Sequence, residues 1–155
     1  MKKKNLDWEN LGFEYHETDK RYIANYKDGE WKEGKLISDS NVVINESAGV
    51  LQYCQQVFEG LKAYTTEDGS VVTFRPDLNA ERMLNSAEGL QMPPFPEDRF
   101  LEAVDQVVAA NLEWVPPYGT GASLYLRPFI FAAKDVIAIK PAEEYQFRLF
   151  ATPVG

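Results

Sequence analysis

At 155 residues, with 45% hydrophobic and 13% aromatic content, the chain can bury one respectable core, and a single domain over residues 1–155 is expected. Twenty-four acidic against sixteen basic residues leave a formal charge of −8, which repels nucleic-acid phosphates and offers anionic lipid little beyond Lys2-Lys3-Lys4, so neither nucleic acid nor membrane is an expected partner. No apolar run approaches the ~20 residues of a spanning helix, and the charged N-terminus lacks the apolar stretch of a secretory signal. The cytoplasm is the expected compartment. The single cysteine, Cys54, can form no internal disulfide and has no other soft ligands to share a metal with; it reads as a small buried residue.

Residues 1–18 mix polar and aromatic side chains without steady periodicity and read as an arm packed across the domain. Residues 21–26 alternate as a strand does, and Asp28-Gly29 supplies the turn into a second strand over 31–36. The β-branched middle of 41–45 suggests a third short strand, and 46–49 a connection. Strands over 57–64 and 71–74 flank a second Asp-Gly hairpin. Pro76-Asp77 marks a helix start, with Asp77 expected to accept from the first free amides, and Ala80, Met83, Leu84 and Ala87 follow at helical spacing toward Gly89. After Pro93-Pro94-Phe95-Pro96, Phe100, Ala103, Val104, Val107, Val108 and Leu112 form one face of a second helix. Strands over 123–131 and 145–152 close the chain, with 132–144 as a loop between them. Strands, two helices, then strands again predict an α+β fold with helices packed on a mostly antiparallel sheet.

Two groups of residues could carry chemistry. Arg82 sits in the first turn or so of the helix that opens at Pro76-Asp77, off its apolar stripe, where free amides and a guanidinium together would suit a phosphate. By pattern alone it reads rather as a solvated arginine paired with a nearby acid such as Glu81 or Glu88. Tyr125 and Arg127 are two apart on one strand and so share a face, a hydroxyl and a guanidinium suited to a carboxylate, though the same pair is also an ordinary half-exposed strand feature. His16, the only histidine, has no serine or acid pattern around it, and Gly119-Thr120-Gly121 lacks the setting and the lysine of a nucleotide loop.

The segment Tyr53-Cys54-Gln55-Gln56-Val57-Phe58-Glu59-Gly60-Leu61-Lys62-Ala63-Tyr64, with Phe74-Arg75-Pro76 before the Arg82 helix and Ser123-Leu124-Tyr125-Leu126-Arg127-Pro128, resembles the front half of a branched-chain aminotransferase, over residues 11–155. That resemblance implies the small N-terminal domain of a fold-type IV pyridoxal-phosphate enzyme, a homodimer when full length, moving the amino group of leucine, isoleucine or valine to 2-oxoglutarate and so handling glutamate as well. By the same resemblance Arg82 grips the cofactor phosphate, Tyr125 lies near the substrate α-carboxylate, and Arg127 reaches the distal carboxylate of glutamate or 2-oxoglutarate. Phe13, Tyr53 and Phe58 match aromatic walls of the substrate pocket. Ile137 and Ile139 match a loop that crosses from the partner subunit, and Tyr53 matches a residue contributed across the same interface. No catalytic residue is expected within the chain, since Lys62 is not at the Schiff-base position and the family places that lysine in a second domain. On this reading the segment alone is inactive and binds pyridoxal phosphate weakly. Relatives such as D-amino acid aminotransferase or aminodeoxychorismate lyase share the architecture, and a noncatalytic module binding metabolites or another protein is the reading from a different class.

Overall fold

Alternating polar and apolar residues in the first strand, β1 (Arg21–Lys27), turn tightly at Asp28 and Gly29 into β2 (Glu30–Trp31). Both turn residues have positive φ, 54° and 80°, the left-handed conformation that matches the twist of a two-residue hairpin and that Asp and Gly tolerate. The computed structural model describes residues 2–155. The expected second strand is divided: β2 ends at Trp31, and a separate β3 (Lys35–Ile37) returns to the other half of β1, after a bend through Gly34. A Cβ at Gly34 would overlap the Tyr22 hydroxyl, so the bend is where the chain passes over that buried ring.

Residues 41–45 do not form a strand. They pair with no other strand, the Asn41 amide donates to the Asp39 carboxylate at 2.9 Å, and Val43 is 98% exposed. The connection expected at 46–49 leads instead into a short helix, α1 (Gly49–Tyr53), which ends in a left-handed Cys54. Cys54 is exposed, against the expectation of burial, because that capping position lies at the surface.

The strand expected over 57–64 is β4 (Gln56–Phe58) and β5 (Leu61–Thr65), interrupted at Glu59-Gly60. Both pieces pair with the same central strand in one unbroken register, Phe58 opposite Phe129 and Leu61 opposite Leu126. The gap faces Pro128, which accepts a hydrogen bond from the Glu59 amide at 2.8 Å but has no N–H to return. After β6 (Val71–Thr73) come α2 (Pro76–Gly89) and α3 (Glu97–Ala110). Asp77 does not serve as the N-cap of α2; Arg75 takes the capping position, and its guanidinium donates to the Asp77 carboxylate at 2.8 and 3.0 Å. The ten-residue strands β7 (Ser123–Ala132) and β8 (Tyr145–Val154) then complete an antiparallel eight-stranded sheet in the order β2-β1-β8-β7-β5-β6, with β3 beside β1 and β4 beside β7.

The two faces of this sheet have different fates. Tyr145, Phe147, Leu149 and Ala151 of β8 and Leu124, Leu126 and Ile130 of β7 join Ala80, Met83 and Ala87 of α2 and Phe100, Ala103, Val104 and Val107 of α3 in one core. Phe147 stacks on Phe95 with ring centroids 3.9 Å apart, so the proline-rich link between the helices is pinned to the sheet. The opposite face carries Tyr125, Arg127 and Phe129 of β7 beside Thr152, Phe150 and Arg148 of β8. No helix covers it. The N-terminal arm crosses it in extended form, held where the His16 amide donates to the Thr152 hydroxyl at 2.8 Å and the Thr18 hydroxyl donates to the Ala151 carbonyl at 2.9 Å. Among the described residues no helix is long and apolar enough to cross a membrane.

Candidate active site

On the open face the Arg127 guanidinium donates to the Tyr125 hydroxyl oxygen from Nε at 3.1 Å and from Nη2 at 2.9 Å. Its carbon lies 4.5 Å from the centre of the Phe58 ring, a cation over a π face contributed by β4. Phe13, carried in by the arm, meets the Tyr125 ring edge-on at 5.5 Å between centroids. Four residues from three distant stretches of sequence therefore converge. Phe13 and Phe58 remain 71% and 59% exposed, so the aromatic wall has one side unfilled.

The arrangement has a chemical logic. Because the Tyr125 oxygen already accepts from Arg127, its own proton is free to be donated outward, while the Arg127 Nη1 has no partner among the described residues. A carboxylate arriving here would meet a hydroxyl donor and part of a guanidinium fork. An apolar group would meet the Phe13 and Phe58 rings, leaving the guanidinium satisfied by Tyr125 and Phe58 rather than stranded.

Gly60 is a site residue that sequence reasoning passed over. A Cβ there would overlap the Tyr125 hydroxyl, so the absence of a side chain is what lets the phenol lie where it does. The Asp-Gly and Gly-x-Gly turns drew attention because their chemistry is local; the demand on Gly60 comes from a strand 65 positions away in sequence, the difference between 125 and 60.

Arg82 lies one turn further along α2 than expected, six residues after Pro76, so the free amides at the helix start are not beside it. It is bound to an acid, though neither Glu81 nor Glu88: Nε and Nη2 donate to the two carboxylate oxygens of Glu59 at 2.6 Å each. The Arg82 side chain is 68% exposed and that of Glu59 only 3%. Asn79, one turn back on α2, donates to the same carboxylate at 3.1 Å and to the Gly60 carbonyl at 3.2 Å. Burial pushes the Glu59 carboxyl upward, but the hydrogen bonds from Arg82 and Asn79 and the Arg82 charge outweigh it, and the group titrates below the ordinary glutamate value. The same carboxylate raises Arg82 above its usual range. Glu59 thus links α2 to the gap opposite Pro128, adjacent to the glycine beneath Tyr125.

Tyr53, Ile137 and Ile139 do not join the Tyr125 cluster. The Tyr53 hydroxyl donates to the Ile137 carbonyl, uniting α1 with the 132–144 loop, while Ile137 and Ile139 are 82% and 90% exposed. Lys62 stands opposite Tyr125 on the neighbouring strand.

The sheet and its one-sided helices have the fold-type IV N-terminal domain fold: the structure of a branched-chain aminotransferase from Thermoproteus uzoniensis with norvaline superimposes with a TM-score of 0.70, covering 89% of this chain and 41% of that one at 24% identity. No family model matches the chain. Curated relatives do, among them two called branched-chain-amino-acid aminotransferase. The chain is 53% identical to that of Haemophilus influenzae over 98% of its own length, and 50% identical to that of Helicobacter pylori over 97%. By sequence and fold the chain corresponds to the N-terminal part of the branched-chain aminotransferases. It spans 44% of the length of each of these two relatives.

Proposed function

We propose that this domain forms the substrate wall and the phosphate anchor of a pyridoxal-phosphate-dependent branched-chain aminotransferase, which moves the amino group of leucine, isoleucine or valine to 2-oxoglutarate in the cytoplasm. The Tyr125–Arg127–Phe58–Phe13 cluster carries the reading. Such an enzyme must accept an apolar side chain and an anionic one in a single pocket, and this cluster offers rings to the first and an unengaged guanidinium edge to the second. Tyr125 orients the shared carboxylate through its hydroxyl, and Arg127 holds the distal carboxylate of glutamate or 2-oxoglutarate.

The residues present fit the cofactor's phosphate in part. Arg82 is a mostly exposed cation with its Nη1 edge unengaged, braced by Glu59 so that its direction is fixed before an anion arrives. When bound, pyridoxal phosphate supplies the electron sink for the amino-group transfer. The chain's own residues bind and orient. Homodimerisation is part of the proposal: Tyr53, Ile137 and Ile139 lie together but apart from Tyr125, as expected of residues that complete the pocket of a second subunit.

The test is a chimera in which this chain replaces the matching portion of the Haemophilus influenzae relative. Leucine-dependent formation of glutamate from 2-oxoglutarate is expected. A folded chimera that retains pyridoxal phosphate and transfers no amino group from leucine, isoleucine or valine would overturn the reading.

A further inference from the structure

A second cationic hollow lies on the open face of the sheet, beyond Phe150 from the Tyr125 cluster. Arg148 of β8, only 6% exposed, stands opposite Phe129 on one side and Ile23 on the other. Its Nη1 donates to Gln146 at 3.0 Å, and its Nε and Nη2 have no hydrogen-bond partner among the described residues. No carboxylate there comes within 4.0 Å of it. Arg21, 1% exposed, sits nearby but is committed, donating to the Thr18 carbonyl at 3.1 Å and to the Ser38 carbonyl. Tyr15, Ser40, Asn41, Val42, Phe129 and Phe150 complete a hollow of about 310 Å³.

A buried guanidinium with an open edge is costly unless something pairs with it. Burial, and then the Arg21 charge, push Arg148 below its ordinary value, which Asp39 offsets in part. Asp39 does not close the edge: its Oδ1 accepts from the Asn41 amide and side chain, and neither of its oxygens comes within 4.0 Å of an Arg148 nitrogen. Glu17, 57% exposed, touches only Arg21, at 4.0 Å.

We propose that this hollow binds a small monocarboxylate, whose two oxygens take the open Nε and Nη2 edge of Arg148 and whose apolar body lies among Tyr15, Phe129 and Phe150. The planar fork matches a carboxylate in two parallel hydrogen bonds. Phosphate fits less well, since its second charge would meet Asp39 and Glu17. The inference stands independently of the aminotransferase reading, because it uses none of Arg82, Tyr125 or Arg127.

The experiment is nitrogen-resolved NMR of the Arg148 Nε–H in the full chain, titrated with 3-methylbutanoate and, separately, with inorganic phosphate at constant ionic strength. A saturable shift with 3-methylbutanoate is expected, unchanged in Arg127→Gln, and at least tenfold weaker with phosphate. In Arg148→Gln, followed at the Ile23 methyls, binding is expected to weaken tenfold or more, with Arg148→Lys intermediate. Absence of a saturable Arg148 shift in the unaltered chain overturns the proposal whether or not the variants fold. Equal binding of phosphate, or a ligand-free signal that moves with protein concentration and so assigns the hollow to an acidic side chain of a second copy, overturns it as well.

Discussion

The two faces of the sheet are built from the same alternating strands and differ in who completes them. On the helix side every large side chain finds its neighbours within the chain: Phe147 touches Phe95, Phe100 and Tyr22, and all are buried. On the other side Phe13 and Phe58 remain exposed, and the guanidinium groups of Arg127 and Arg148 each keep an edge without a partner among the described residues. Burial on the first face generates stability. The second face is organised by a few polar contacts and leaves its binding capacity for other molecules.

That contrast can be broken most sharply at Phe147. Phe147→Ala removes a fully buried ring stacked on another, and a loss of about 3 to 5 kcal/mol in urea unfolding is expected. Glu59→Ala comes next, because it strips a buried carboxylate from Arg82, Asn79 and the chain turn opposite Pro128; about 1 to 3 kcal/mol is expected by the same measurement. Its pH signature is directional. The folded-state value of Glu59 is depressed, so its contribution is fully present above the unfolded glutamate value of about 4.3 and disappears as pH falls through the lower folded value. Unfolding of Glu59→Gln followed against pH should lack that component of the acid loss.

The helix-side face was the more legible in sequence because its rules are periodic. The spacing of Ala80, Met83, Leu84 and Ala87, of Phe100, Ala103, Val104, Val107, Val108 and Leu112, and of Tyr145, Phe147, Leu149 and Ala151 identifies the inward stripes; all are buried except Leu84 and Val108, which are half-buried, and Leu112, which is half-buried beyond the end of α3. Periodicity fails where length or pairing decides. In α1 only Gly49 is buried among five residues, which leaves no stripe to read. Residues 41–45 have strand-like composition but pair with no strand. The interruption of β4 and β5 is dictated by Pro128 on another strand.

The candidate site was legible by resemblance and only partly by pattern. The two-residue spacing of Tyr125 and Arg127 correctly puts them on one face, whereas the approach of Phe13 and Phe58 depends on how the arm and β4 cross β7. Arg82 shows the limit most clearly. Acids near it in sequence, Glu81 and Glu88, are the natural partners to suspect, yet the carboxylate it holds is in the break between β4 and β5, 23 positions away.

Smaller effects sharpen the contrast further. Gly60→Ala should cost about 1 to 2 kcal/mol while displacing the Tyr125 ring, visible as a shift of its aromatic NMR signals, since the new methyl and the hydroxyl claim one space. Phe58→Ala should cost less than about 1 kcal/mol despite removing as large a ring as Phe147→Ala, because the ring is 59% exposed. A loss at Phe58 equal to that at Phe147 would erase the proposed division between a stabilising face and a binding face.

The central claim, that Arg127 serves the anionic substrate and stands aside for the apolar one, is tested most directly by Arg127→Met in the chimera with the Haemophilus influenzae relative. The KM for 2-oxoglutarate should rise tenfold or more, at least about 1.4 kcal/mol of lost binding, while the KM for the 2-oxo acid of leucine changes by less than about threefold, or 0.7 kcal/mol. Equal changes for the two substrates would contradict the account.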